Sequence, residues 1–190
     1  MKSSEPLLFI ALLPPMEVQN EVTQIKQYFA QNYNSSHALK SPPHVTLQPP
    51  FKWLTEDFYL LEECLTEFAK IYAPIPITLS GFGSFPPRVI YVNVIKTPEL
   101  MEIKKHLMSH LETTLTLVDE VSKSRPFSPH MTVAFKDLTR QNFKLGWQEF
   151  EHKPLKFEFT VSQLTLLIHN GEKWNIQAEF PFLLSDKIGD

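Results

Sequence analysis

Two segments of the chain carry the same pattern, His44-Val45-Thr46 and His130-Met131-Thr132. In a β-strand, side chains two apart share one face. Each histidine therefore projects beside its threonine, while Val45, Leu47, Met131 and Val133 point into the layer behind. An imidazole titrates near neutrality. Of two imidazoles meeting at one site, one can start neutral and take a proton from water, and the other can start charged and protonate a departing alkoxide. Threonine hydroxyls can donate hydrogen bonds to the nonbridging oxygens of a phosphate held between them. The pattern predicts phosphodiester cleavage, with His44 and His130 as the catalytic pair, Thr46 and Thr132 binding the phosphate, and no metal or other cofactor required. General acid–base catalysis of this kind contributes roughly 10²–10⁴-fold per group.

The flanks sharpen the pattern. Pro43-His44-Val45-Thr46-Leu47 and Arg125-Pro126-Phe127-Ser128-Pro129-His130-Met131-Thr132-Val133-Ala134 resemble the two signature motifs of the two-histidine (2H) phosphoesterase superfamily. The resemblance is to its 2′-5′ RNA ligase and RNA 2′,3′-cyclic phosphodiesterase branch. The segment from Phe82-Gly83-Ser84 to Tyr91 is similar to the stretch between the family's motifs. The resemblance implies a bilobal α+β fold with a central cleft. It also implies hydrolysis of a 2′,3′-cyclic phosphate, on RNA ends or small cyclic nucleotides, to a 2′-phosphomonoester, with reversible 2′-5′ ligation in some members. By position, His44 would protonate the leaving oxygen, His130 would activate water, and Arg125 would add a fixed positive charge near the phosphate or the RNA. The alternative is a noncatalytic RNA-end or nucleotide-binding module using the same cleft. The run Gln48-Pro49-Pro50-Phe51 departs from the family's apolar, aromatic strand end.

Other residues invite competing readings. His106 and His110 lie at i and i+4 on a helix, a metal-ligand spacing, but no HExxH accompanies them and a solvated helix face is the expectation. Phe51, Trp53, Phe85 and Tyr91 could stack a nucleobase. Core packing is the default for an aromatic, and Tyr91, whose strand should line the cleft, is the best of them, with Phe51 kept beside it as a candidate. Arg88 reads as structural or rim, and Cys64 as an inert residue on an apolar helix face.

The whole composition fits local phosphate recognition. Of 190 residues only 5 are Gly and 16 are Pro, and no glycines are spaced as a GxxxxGK[ST] or GxGxxG loop, so side chains rather than a backbone cradle must hold a phosphate. A net charge of −3 rules out a bulk basic field for long nucleic acid. At 43% hydrophobic and 21% charged the chain is an ordinary globular one. A lone cysteine excludes an internal disulfide and suits a reducing, cytoplasmic setting. The apolar Leu7–Leu13 run is too short to span a membrane and is cut by Pro14-Pro15, so it reads as a buried strand rather than a signal peptide. No membrane partner is expected, and a monomer is.

The elements that must position the motifs follow from periodicity. Val18, Val22, Ile25, Tyr28 and Phe29 mark a helix, with Lys26 among the residues facing away. A strand bracketed by Pro42-Pro43 and Pro49-Pro50 carries the first motif. A helix over 56–72, a strand over 75–79 and a break at Gly81-Phe82-Gly83 complete the first half. The second half runs strand 89–94, a helix opened by Pro98, a basic loop 122–127, the second motif strand, and a helix 139–150. A long hairpin then joins 157–168 to 174–180 around Asn170-Gly171. The order β-α-β-α-β appears twice, which predicts one α+β domain over 1–190. It would consist of two pseudo-twofold halves, 1–84 and 85–190, each supplying one His-x-Thr strand to the cleft.

Overall fold

The structure, a computed structural model, describes residues 4–183. Along the chain run β1 (Leu7–Leu12), α1 (Met16–Tyr33), β2 (Val45–Lys52), α2 (Phe58–Lys70), β3 (Ile75–Phe85), β4 (Val89–Val94), α3 (Pro98–Leu115), α4 (Glu120–Ser124), β5 (His130–Ala134), α5 (Arg140–Phe150), β6 (Lys156–Val161), β7 (Gln163–His169) and β8 (Trp174–Pro181), with 3₁₀ turns at His37–Lys40 and Thr55–Asp57. The strands form two antiparallel sheets, ordered β2-β1-β7-β8 and β5-β4-β3-β6. This is a bilobal α+β fold. Each His-x-Thr segment lies at the edge of its sheet, next to the third-position aromatic of a central strand, Phe9 in β1 and Tyr91 in β4.

Chain halves and sheets do not coincide. After α2 the chain crosses over, so β3 from the first half pairs with β4 and β6 in the second sheet. After β6 it crosses back, and β7 pairs with β1. The expected strand 157–168 is therefore two strands divided at Ser162, one in each sheet; only β7 and β8 form the hairpin. Nor is Gly81-Phe82-Gly83 a break. β3 continues through it with a register shift between Leu79 and Phe82, and Gly81 takes a φ of 66°, which suits a residue without Cβ in a bulge. β2 likewise runs on through Pro49-Pro50 to Lys52. An edge strand tolerates the missing N–H groups because they face no partner. Part of the loop expected at 122–127 is the end of α4.

Burial explains the strand pattern. β1 is central, so both of its faces are covered: Leu8, Ile10 and Leu12 enter the main core, while Phe9 and Ala11 join Leu167 in a small cluster on the other face, against which Leu13 and Trp174 pack. Each such Leu, Ile or Phe side chain stabilises the fold by roughly 1.5–3 kcal/mol relative to exposure. In α1 the inward stripe is Val18, Val22, Lys26 and Phe29. Lys26 thus faces in, against the expectation, and Tyr28 turns out to 37% exposure. The helix α3 opens as anticipated, with Pro98 in its first turn and the Thr97 hydroxyl accepting from the Leu100 N–H.

Candidate active site

The two motif strands present alternating faces. Val45, Leu47, Met131 and Val133 are buried, whereas His44, Thr46, His130 and Thr132 are half-buried and open to a cleft between the sheets. His44, Thr46 and Thr132 share one pocket of about 420 Å³, and His130 lies in the adjoining groove of about 510 Å³, which Thr46 also lines. The four side chains named from spacing therefore converge.

Each histidine is mounted the same way. Its Nδ1–H donates to the carbonyl oxygen two residues earlier, at 2.7 Å: Pro42 for His44 and Ser128 for His130. A carbonyl can only accept, so Nδ1 carries hydrogen and Nε2 is left for the cleft, as an acceptor when the ring is neutral and a donor when it is charged. Pro43 and Pro129, the residues between, are buried, and their fixed φ restricts how the loop enters the strand. Aromatic rings wall both imidazoles. Phe9 lies 4.7 Å from His44; Tyr91 and Phe85 lie 5.2 and 5.1 Å from His130. This desolvation pushes the His44 pKa down to about 4, with smaller contributions from the Pro42 bond, which opposes it, and from Lys26 and His130. Burial lowers that of His130 as well, against the opposing bond to Ser128. Both rings are neutral at pH 7 in the free protein.

Lys26 reaches this region from beneath. It is 1% exposed, and its Nζ donates to the Ser41 carbonyl at 2.9 Å, bracing the segment that leads to Pro42. Burial lowers its pKa to about 7. Its spacing from Val18 and Val22 was the available signal, outweighed by its residue type.

The remaining sequence candidates separate. Tyr91 stands in the cleft beside His130, and Phe85, expected to be core, is 39% exposed and lines the same groove. Phe51 does not stack in the cleft: it is 8% exposed and belongs to the main core, because it shares strand parity with Val45 and Leu47. Trp53 also packs on the core and donates Nε1–H to the Asp57 carbonyl. Arg125 lies along the His130 groove and not in the His44 pocket. His106 is exposed, in keeping with a solvated face, with Nδ1 within hydrogen-bond reach of the Tyr72 hydroxyl (2.5 Å) just past α2, whereas His110 is half-buried against α2 with Nε2 3.2 Å from the Cys64 carbonyl. Among the described residues no three His, Cys, Asp or Glu side chains gather as a metal site. Trp174, Lys40 and Lys136, not singled out from sequence, line the His44 pocket.

The residues 14–173 match the family model of the 2′-5′ RNA ligase superfamily. The chain belongs to that superfamily. Its similarity to curated superfamily relatives spans nearly the full length. Proteins of Geobacillus kaustophilus and Geobacillus sp. (strain WCH70), each bearing the name "Putative phosphoesterase", are 28% and 30% identical over 178 residues, covering 90% of this chain and 93% of each relative. The fold is shared with crystal structures of Thermus thermophilus TT0787 (TM-score 0.67, 20% identity, 93% and 98% of the two chains covered) and of Escherichia coli LigT with 3′-AMP (TM-score 0.67, 18% identity, 95% and 100% covered). LigT has also been crystallised with NADP⁺, ATP and phosphate. No described helix of this superfamily member is long and apolar enough to cross a membrane.

Proposed function

We propose that the protein is a phosphoesterase that opens a 2′,3′-cyclic phosphate to a 2′-phosphomonoester by paired histidine acid–base catalysis. The observation that carries this reading is the matched mounting of His44 and His130, each with Nδ1 committed to a carbonyl and Nε2 free for the cleft. Thr46 and Thr132 hold the nonbridging oxygens. Nε2 of neutral His130 takes a proton from water as the water oxygen bonds to phosphorus. The P–O3′ bond breaks, and the departing O3′ takes the proton from Nε2 of charged His44. Both imidazoles are neutral in the free protein, so the arriving anion must supply the charge that lets His44 bind its proton. The nucleotide and phosphate complexes of LigT support a cleft of this fold as a place for such ligands.

The test is turnover of 2′,3′-cyclic nucleotides and of a cyclic-phosphate-terminated oligoribonucleotide in the presence of EDTA. His44→Ala and His130→Ala should each lower kcat/KM by roughly 10²–10⁴-fold. With a p-nitrophenyl phosphodiester, whose leaving group needs no proton, His44→Ala should recover most of its loss and His130→Ala should not. Binding without turnover at any pH, or turnover unaffected by either substitution, would refute the proposal.

A further inference from the structure

Lys26 sits where the helix face calls for an apolar side chain. The inward stripe of α1 reads Val18, Val22, Lys26 and Phe29, and Lys26 is 1% exposed. An ammonium taken out of water needs an opposite charge or hydrogen bonds to offset its lost hydration. No carboxylate lies within salt-bridge reach of Lys26 among the described residues, and the partner of its Nζ is the Ser41 carbonyl. The neighbouring elements add no anion. Lys40 of the 3₁₀ turn and Lys173 of the hairpin border the groove of about 300 Å³ that Lys26 also lines. Lys136, after β5, borders the His44 pocket. Asp137 is engaged by Ser35, Ser36 and His37, and Glu149 on α5 by Tyr28 and Tyr33. A methionine of similar length would fill the stripe without this cost. Packing therefore does not account for a lysine here.

The carbonyl that Lys26 holds does account for it. Ser41 precedes Pro42, whose own carbonyl accepts the Nδ1–H of His44 at 2.7 Å. The ammonium and the imidazole thus grip carbonyls of consecutive residues, and the fixed φ of Pro42 and Pro43 leaves that stretch little freedom to absorb a shift. Lys26 also acts through space: after burial and the opposing Pro42 bond, its positive charge is the next influence lowering the proton affinity of His44. For His130 the shift comes from burial against the Ser128 bond. The other buried lysine grips the same strand from α3. Lys104, 4% exposed, donates to the Leu47 carbonyl at 2.5 Å, but unlike Lys26 it has a carboxylate, Asp119, at 3.7 Å.

We infer that Lys26 is a positioning residue for His44: it holds the Ser41–Pro42 segment on which the imidazole is mounted and places a positive charge near the ring. A charged His44 close to that ammonium is a stronger acid toward the departing O3′. The contribution to turnover rests on the phosphoesterase reading; the hold on His44 rests on the placement of Lys26 beneath the Ser41 segment.

The test combines an NMR titration of the imidazole signals with kinetics on a 2′,3′-cyclic mononucleotide. In Lys26→Met the His44 midpoint should move up from about 4, while that of His130 stays in place. Its kcat should fall by roughly 10–10²-fold, and its kcat/KM optimum should shift to the alkaline side. Its melting temperature should equal or exceed that of the wild type, because a buried charge has been replaced by an apolar side chain. Lys26→Arg, which keeps both donor and charge, should bring back the low midpoint and most of kcat. Val22→Ala, one turn earlier on the same stripe, is the structural comparison: it should melt lower, yet leave the His44 midpoint and the kcat of the folded protein unchanged. An unmoved His44 midpoint in Lys26→Met overturns the proposal, as does a wild-type kcat in that variant or an equal upward shift in Val22→Ala. If the wild type turns over no cyclic phosphate while Lys26→Met still moves the His44 midpoint, the phosphoesterase reading fails and the hold on His44 stands. Turnover without any movement of the midpoint leaves that reading intact and overturns the role of Lys26.

Discussion

With Nδ1 of His44 and of His130 committed to backbone carbonyls, the proton that decides activity is the one on Nε2. Catalysis needs one ring neutral and one charged, a state most populated between the two apparent pKa values of the pair. Burial holds His44 at about 4 and lowers His130 also, so kcat/KM, which reports the free protein, should peak below pH 6.5. In the complex the phosphate anion favours the charged ring, so the kcat profile should lie to the alkaline side of the kcat/KM profile. A kcat/KM optimum above pH 7 would contradict this mounting. The same shift has a consequence for stability. The unfolded histidine binds its proton near pH 6.5, the folded one only near 4, so as pH falls through that window the unfolded state gains protons first and stability drops. The loss attributable to His44 is about 3 kcal/mol at its limit. Urea unfolding at pH 7.5 and 4.5 should show His44→Gln losing less stability between the two than the wild type.

Elements set where these rings lie, and the pairing of β3 with β4 shows how. Gly83 stands opposite Tyr91 in the register, and a Cβ there would come within 2.3 Å of the Tyr91 ring. The ring thus lies across the glycine, and from there it reaches Phe85 at 4.6 Å and His130 at 5.2 Å. Gly83→Ala must displace the ring or bend the strand, at a cost of roughly 1–3 kcal/mol, and should lower kcat/KM by more than the lost folded fraction explains. Paired thermal melts and kinetics would separate the two effects, and Gly83→Ala with Tyr91→Ala should restore stability without restoring affinity. At this scale the sequence was legible wherever local period decided the outcome. Thr46 and Thr132 fell on the cleft face because two-residue alternation puts them there, and the same alternation placed Phe51 with Val45 and Leu47 in the core. Where a feature depends on a distant partner, the signal fades. The run 157–168 is continuously strand-like, and only the pairing of its first half with β3 and of its second with β1 divides it at Ser162. Trp174 begins the return arm of a readable hairpin, yet its place beside His44 follows from β7 pairing with β1, which no short-range pattern encodes.

At the scale of the whole molecule, the two edge segments must be held in mutual register, and two carboxylates tie regions about a hundred residues apart in the chain. Asp137 follows β5. Its Oδ1 accepts from the Ser35 hydroxyl at 2.9 Å, and its Oδ2 accepts from the Ser36 and His37 N–H groups, each at 2.9 Å. It joins the exit of the second motif to the segment that leads, through the 3₁₀ turn at His37–Lys40, to Pro42 and His44. Glu149 on α5 accepts from Tyr28 at 2.8 Å and Tyr33 at 2.5 Å on α1, away from the cleft. Bonds to a charged acceptor contribute about 1.5–3 kcal/mol, with less expected here because Asp137 is exposed. Both ties should therefore give similar losses in melting temperature when replaced, and the kinetics should tell them apart. Asp137→Ala frees the approach to His44 from β5, and a misplacement of about 1 Å between reacting groups can cost on the order of 10²-fold. Its kcat on a cyclic phosphate should fall well beyond what the melting shift implies, whereas Glu149→Gln should keep wild-type kcat at temperatures where it remains folded. Equal kcat for the two variants would mean that the relative setting of the lobes is fixed by the core alone, with Asp137 contributing only to stability.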